Sequence, residues 1–119
     1  MEPAHSEGAA RHHDNIGKNA FKNCVKLKTI VLGKKLTTIG ENAFKGCTTL
    51  EKITLETKVT TIGKSAFDGC KTLKNVNIKT KKLTADTVGK NAFRNIHADA
   101  VIKCPAKVKN VYQTFLPVE

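Results

Sequence analysis

One nine-residue pattern recurs along the chain and constrains its fold more than any other feature. The pattern reads IGKNAFKNC at Ile16, IGENAFKGC at Ile39 and IGKSAFDGC at Ile62, and it returns as VGKNAFRNI at Val88. The four starts are separated by 23, 23 and 26 residues, and we number the segments that they open as the first to the fourth copy. Repetition at a nearly fixed period predicts a stack in which each copy packs on its neighbours.

The second half of each copy predicts a strand. Leu-x-x-Ile-x-Leu occupies residues 27–32 and 50–55 and returns as Leu-x-x-Val-x-Ile at 73–78. Its last three positions alternate with period two, which is typical of a strand with one buried face. The same offsets counted from Phe93 place Ile102 and Cys104 in the core of a degenerate fourth copy. One short parallel strand per copy should therefore join a single sheet.

A second extended piece, rich in threonine, is expected on the opposite wall at 36–39, 59–62 and 83–88. The period and the leucine spacing together predict an α/β fold, a leucine-rich-repeat solenoid over residues 16–104 with about four repeats of about 23 residues.

The first half of each copy predicts short helical turns on the side opposite the sheet. A glycine follows the apolar lead, which indicates either a close approach of the backbone or an unusual φ. The polar residue two positions later is expected to be the N-cap of a turn. The phenylalanines should stack in the core, and the Asn or Gly two positions after each should end the turn in the left-handed region. The expected N-caps are Asn19, Asn42, Ser65 and Asn91.

The two ends lie outside the repeats. Residues 1–15 show no periodicity and are expected to be a flexible lead or a tag remnant. Its histidines, His5, His12 and His13, could bind a metal, but a solvated tail is the favoured interpretation. Residues 105–117 predict an amphipathic capping helix, with a partner-binding helix as the alternative. The first strand would have an open edge, so either the lead folds over it or two chains form a homodimer there.

Several kinds of chemistry find no support in the sequence. Three of the four cysteines recur at the repeat period, which indicates reduced thiols in the core rather than a disulfide or a zinc site. No catalytic constellation or phosphate-binding glycine loop is present, so neither an enzyme nor a cofactor is expected. No 18-residue apolar run exists, and the first residues lack the apolar stretch of a signal peptide.

The columns IG-x-N-A-F-x-G-C-x-x-L-x-x-I-x-L from Ile39 to Leu55, and the Cys-Pro followed by a helix at Cys104, resemble the BspA-like leucine-rich repeats, also called the Treponema pallidum type. The resemblance covers about residues 16 to 116. It implies a surface or secreted parent protein that attaches to host proteins or to other cells, and it carries no catalytic residues.

Charge and exposure indicate where a partner would bind. The formal net charge is +11, which attracts anions. The sheet face is expected to be flat and polar, as in solenoids that bind proteins. Its predicted contact residues are Thr29, Val31, Lys52, Thr54, Asn75, Asn77, Val101 and Lys103.

The favoured function is a non-enzymatic module for protein interaction and adhesion. One alternative is a module that binds polyanions, glycans or nucleic acid, through lysine-rich rims. Another is an isolated repeat scaffold with no partner of its own. The rim lysines are Lys34, Lys35, Lys58, Lys79, Lys81 and Lys82, with a second column at Lys18, Lys64 and Lys90.

Overall fold

The computed structural model describes residues 15–117 and contains two parallel sheets of three strands. The first sheet has the order β1, β2, β4, and the second has the order β3, β5, β6. A 3-10 turn at Ala106–Val108 and a short helix, α1 at Lys109–Tyr112, follow the last strand. The strands are β1 (Asn15–Ile16), β2 (Thr38–Ile39), β3 (Lys52–Leu55), β4 (Thr61–Ile62), β5 (Asn75–Ile78) and β6 (Val101–Lys103).

The register of both sheets follows the sequence period. Ile39 pairs with Ile62, and Ile53 pairs with Val76, each 23 residues further on. Val76 in turn pairs with Ile102, which is 1% exposed. The core position predicted for Ile102 by counting from Phe93 is therefore confirmed. β1 begins at Asn15, one residue before the predicted start of the repeats.

The number of sheets and the first strand differ from the prediction. The extended pieces at 36–39 and 59–62 form a sheet of their own, since β2 and β4 pair in parallel and β1 joins them, whereas the piece at 83–88 contributes an isolated bridge from Val88 to Ile62. The strand predicted at 27–32 is wrong, because no strand forms there and a single backbone bond, from Glu51 N–H to Lys28 O at 3.0 Å, joins it to the residue before β3. Leu27, Ile30 and Leu32 are nevertheless buried. Apolar contacts hold this outermost segment, and lost ladder bonds cost little where water replaces them.

A ladder of phenylalanine rings runs through the core and connects all four copies. The ring centroids of Phe21 and Phe44 are 5.3 Å apart, those of Phe44 and Phe67 are 5.1 Å apart, and those of Phe67 and Phe93 are 5.2 Å apart. The interplanar angles of the three pairs are 14°, 4° and 5°. The predicted ring stack is confirmed, and it buries the largest side chains of successive copies against one another.

The cysteine column lies beside the rings. Cys24, Cys47 and Cys70 are buried as predicted, whereas Cys104 is half-buried. The Cys47 thiol donates to the Phe21 carbonyl at 3.0 Å, and the Cys70 thiol makes the equivalent contact with Phe44. The neighbouring Cys47 thiol, together with burial, raises the pKa of Cys70, and burial raises the pKa of Cys24. A raised pKa disfavours the reactive thiolate, as expected of core thiols.

The expected N-caps are wrong. An N-cap residue has extended backbone geometry, but Asn19 has φ 60° and Ser65 has φ 57°. Each lies third in a four-residue turn, such as the one that the Ala20 N–H closes on the Gly17 carbonyl at 3.2 Å. That position of a type II turn requires a positive φ. Chained turns therefore replace the short helical turns, although the left-handed ends predicted at Asn23 and its equivalents are confirmed, with φ of 60° there and 76° at Gly46.

Hydrogen bonds between the turns of successive copies all point the same way along the stack. We call these bonds the turn ladder. At these turn positions the N–H groups of one copy donate to carbonyls of the next copy. In the first copy the donors are Asn19, Phe21 and Asn23, with acceptors Glu41, Ala43 and Lys45 at 2.9, 2.8 and 2.7 Å. The turns of each copy consequently present carbonyl oxygens toward the preceding copy and N–H groups toward the following one.

The C-terminal segment packs on the third copy through Tyr112. The Tyr112 hydroxyl donates to the Thr80 carbonyl at 2.7 Å and accepts from the Leu83 N–H at 3.2 Å. Tyr112 and Leu116 are buried as the amphipathic pattern predicts, but Val111 is 55% exposed. The helix α1 ends at Tyr112, so the predicted apolar face does not extend in one helix over 105–117. Turns at 113–115 redirect the chain and leave Val111 in solvent.

Replacing Tyr112 by phenylalanine tests that attachment. The buried Leu83 N–H and Thr80 carbonyl would each lose a partner, so we expect the free energy of unfolding to fall by about 1–3 kcal/mol. Urea denaturation measures the change. Thr114→Val removes an exposed hydroxyl that bonds only Val111 and should change stability by less than about 0.5 kcal/mol. Equal stability of the two variants would contradict the proposed role of the hydroxyl.

Candidate interaction face

The sheet of β3, β5 and β6 brings six of the eight predicted contact residues together. Strand pairing aligns them in two parallel rows on the outer face. We call these rows the sheet face. The first row is Lys52, Asn75 and Val101, and the second is Thr54, Asn77 and Lys103. The alternating residues Ile53, Leu55, Val76 and Ile78 point into the core, which is why the outer positions share one surface.

The sheet face combines amides, ammonium groups and small side chains. Asn75 and Asn77 occupy its centre, and both are exposed, as are Lys52 and Lys103. Thr54 and Val101 are half-buried. Each amide donates and accepts hydrogen bonds, while the lysines only donate. Such a surface can recognise polar and acidic groups of a partner, and it holds no pair of groups arranged for nucleophilic or acid–base chemistry.

The other two predicted residues, Thr29 and Val31, lie beside the sheet face and are not part of it. A cavity of about 400 Å³ separates their segment from β3 and Glu56. Val31 is 60% exposed, so an apolar group stands at the open side of this cavity. A groove therefore lies beside the polar rows, at the place where the sequence predicts another strand.

Sequence reasoning missed a buried ion pair between the third and fourth copies. Asp68 is 3% exposed, and its Oδ2 accepts from Arg94 Nη2 at 2.8 Å and from Arg94 Nε at 3.2 Å. Asn95 Nδ2 donates to Oδ1 at 3.2 Å. A carboxylate held by three donors fastens adjacent copies and is not available as a free base. The repeat pattern could have indicated this pair, because the position of Asp68 holds lysine in the first two copies and Arg94 in the fourth.

The rim lysines are all exposed, and so are the three lysines of the second column. Within residues 15–117 only two of these nine form ion pairs, Lys79 with Glu56 at 3.8 Å and Lys18 with Glu41 at 3.9 Å. Exposed pairs at such distances contribute little to stability. The remaining charges leave the surface strongly positive.

Residues 15–117 contain no group of three His, Cys, Asp or Glu side chains placed to hold a metal ion. Across the same residues no helix has the length and hydropathy needed to span a bilayer. The histidines at positions 5, 12 and 13 lie outside the described residues.

Parallel strands that recur every 23 residues around a core of leucine, isoleucine and phenylalanine define a leucine-rich-repeat protein. A sequence model of the BspA type leucine rich repeat region matches residues 11–116 and finds six copies there. The chain therefore belongs to the BspA-type leucine-rich repeat family. The six copies divide the chain more finely than the four occurrences of the nine-residue pattern. No curated protein and no solved structure matches the chain.

Proposed function

We propose that this chain is a non-enzymatic adhesion module that binds another protein through the sheet face. The observation that carries the proposal is the exposure of Asn75 and Asn77 at the centre of two aligned polar rows. The architecture that we infer is a solenoid of about four repeats closed at one end by α1. In such a stack, the apolar side chains that the copies share pack against one another in the core. Among side chains, only those at positions that vary between copies are then free to recognise a partner.

Membership of the BspA-type family supports the same proposal independently of the sheet face. BspA-type repeats suggest a module that binds proteins, and repeat stacks use extended faces for that purpose. We infer that the parent protein is displayed at the cell surface or secreted, where an adhesion module would meet its partners. We further propose a homodimer through the outer edge of segment 27–32, since no strand of the described residues lies on that side.

Substituting alanine for Lys52, Asn75 and Asn77 together tests the sheet face. The wild-type chain is immobilised and screened by biolayer interferometry against purified extracellular-matrix proteins. For any protein that binds, the triple variant should lose at least about tenfold in affinity, because a few residues near the centre of an interface carry most of its binding energy. The matched control replaces Lys109, Asn110 and Gln113, also one lysine and two exposed amides. Equal affinity of the two triple variants would contradict the proposal.

Salt dependence separates the polyanion alternative from this proposal. Seven of the nine lysines in the rim and the second column lack an ion pair within the described residues. This observation favours the polyanion alternative. Binding to heparin as the probe should weaken steeply between 50 and 200 mM salt, by roughly 10³ or more if about six contacts form. A protein partner held by the amides of the sheet face should show a much shallower slope.

A further inference from the structure

The turn ladder ends at the fourth copy in a row of backbone donors without acceptors. In the third copy the N–H groups of Ser65, Phe67 and Gly69 donate to the carbonyls of Lys90, Ala92 and Arg94 at 3.0, 2.7 and 3.0 Å. The carbonyls of Lys90, Ala92 and Arg94 are thus used, and the N–H groups that alternate with them point onward. No group of residues 15–117 accepts from them. These donors are the N–H groups of Asn91, Phe93 and Asn95.

A cavity of about 320 Å³ lies against this donor row. Residues 88–94 form one wall, which includes Asn91 and Phe93, and the opposite wall is Phe115, Leu116 and Pro117. The C-terminal segment therefore stands where a following copy would lie, but it supplies no carbonyl acceptors to the row. The volume is at the lower end of the range for small-ligand sites, about 300–1,000 Å³.

The cavity favours a negatively charged group. Parallel N–H groups concentrate positive partial charge, as in other backbone sites that bind anions. Lys90 and Arg94 line the cavity, and no acidic residue does. Asp68 already holds the Arg94 guanidinium, so Lys90 is the cation that remains available. Backbone donors and one ammonium group together complement a single carboxylate.

We propose that this cavity, which we call the donor-end site, binds the carboxylate of a peptide. The oxygens accept from the N–H groups of Asn91 and Phe93, and Lys90 complements the charge. The neighbouring aliphatic group packs on Phe115 and Leu116. That apolar wall favours an organic carboxylate over sulfate or phosphate, because inorganic oxygens that face it would lose hydrogen bonds. The site lies at the end of the stack and does not depend on the sheet face.

The test is a titration of the full, 15N-labelled chain with N-acetyl-leucine, N-acetyl-leucinamide and sodium sulfate, at constant ionic strength. N-acetyl-leucine should shift the amide resonances of Asn91 and Phe93 saturably. The equivalent amides of Ser65 and Phe67 already have acceptors, so their resonances should not shift. Lys90→Gln should weaken binding about threefold, in line with an exposed ion pair. The matched control is Lys64→Gln, the same column one copy earlier, which should leave affinity unchanged.

Four results would overturn the proposal. N-acetyl-leucinamide binding as tightly as the acid would reduce the site to an apolar pocket. Sulfate binding more tightly than N-acetyl-leucine would make it an inorganic anion site. Equal weakening by both lysine variants would indicate a general charge effect, and an absence of saturable shifts at Asn91 and Phe93 would exclude the site. None of these results bears on the sheet face, since the probes are too small to need it.

Discussion

Replacing Phe67 by alanine is expected to lower the free energy of unfolding by about 3–5 kcal/mol, the usual loss when a buried aromatic side chain leaves a cavity. Phe67 is fully buried, and its ring stacks on Phe44 at 5.1 Å and on Phe93 at 5.2 Å. The substitution therefore interrupts the ring ladder between two copies. Chemical denaturation followed by circular dichroism measures the loss.

The same variant should also change how the chain unfolds. Copies in a repeat stack are stabilised mainly by their immediate neighbours, and a typical domain has only about 5–15 kcal/mol of stability in total. A gap at Phe67 should therefore broaden the transition by uncoupling the copies on its two sides. Val25→Ala, at a side chain 52% exposed, is the control and should cost less than about 0.5 kcal/mol. A loss at Phe67 no larger than that would show that the rings do not hold the stack.

Replacing Gly63 by alanine should cost about 1–3 kcal/mol, because added core atoms must displace what surrounds them. A Cβ at Gly63 would lie 2.4 Å from the Glu41 nitrogen and 2.5 Å from the Gly40 carbonyl carbon. Both are backbone atoms, so no side chain can rotate away. The close-approach interpretation of this glycine column is thereby confirmed at Gly63. Thermal and urea denaturation give the loss.

Gly17 provides a control within the same column. A Cβ there has no atom within 4 Å, since the first copy has no preceding copy among the described residues. Gly17→Ala should therefore leave stability unchanged or raise it by up to about 1 kcal/mol, through a smaller entropy of the unfolded chain. Similar losses at both positions would mean that the glycines serve backbone conformation, and that the contact between copies is not what requires them.

Stability and recognition are divided between different positions of the same repeat. Phe67, Gly63 and the thiols serve the contacts between copies, and all face inward or toward a neighbouring copy. The sheet face and the donor-end site use groups that no neighbouring copy occupies. Variants of Phe67 and Gly63 should therefore lose stability first, and binding only as a consequence, whereas those of the sheet face should lose affinity in a folded chain.

The sequence by itself determined the features that every copy shares. The period predicted the parallel register, the ring stack and the buried thiols, because a copy packed on its own duplicate places equal residues side by side. Ile102 was found in this way even though the fourth copy is degenerate, and six residues of the sheet face followed from alternation along β3, β5 and β6.

Only the tertiary structure decided the features that depend on which groups of a neighbouring copy lie opposite a residue. Asn19 is compatible with an N-cap or with a left-handed turn, and the direction of its N–H toward Glu41 selects the turn. Segment 27–32 has strand composition, yet it lies at an end of the described stack, where no strand of residues 15–117 packs on its outer side. The donor row at Asn91 and Phe93 arises for the same reason, since a repeated sequence does not specify which backbone groups lack a neighbour where the repetition stops.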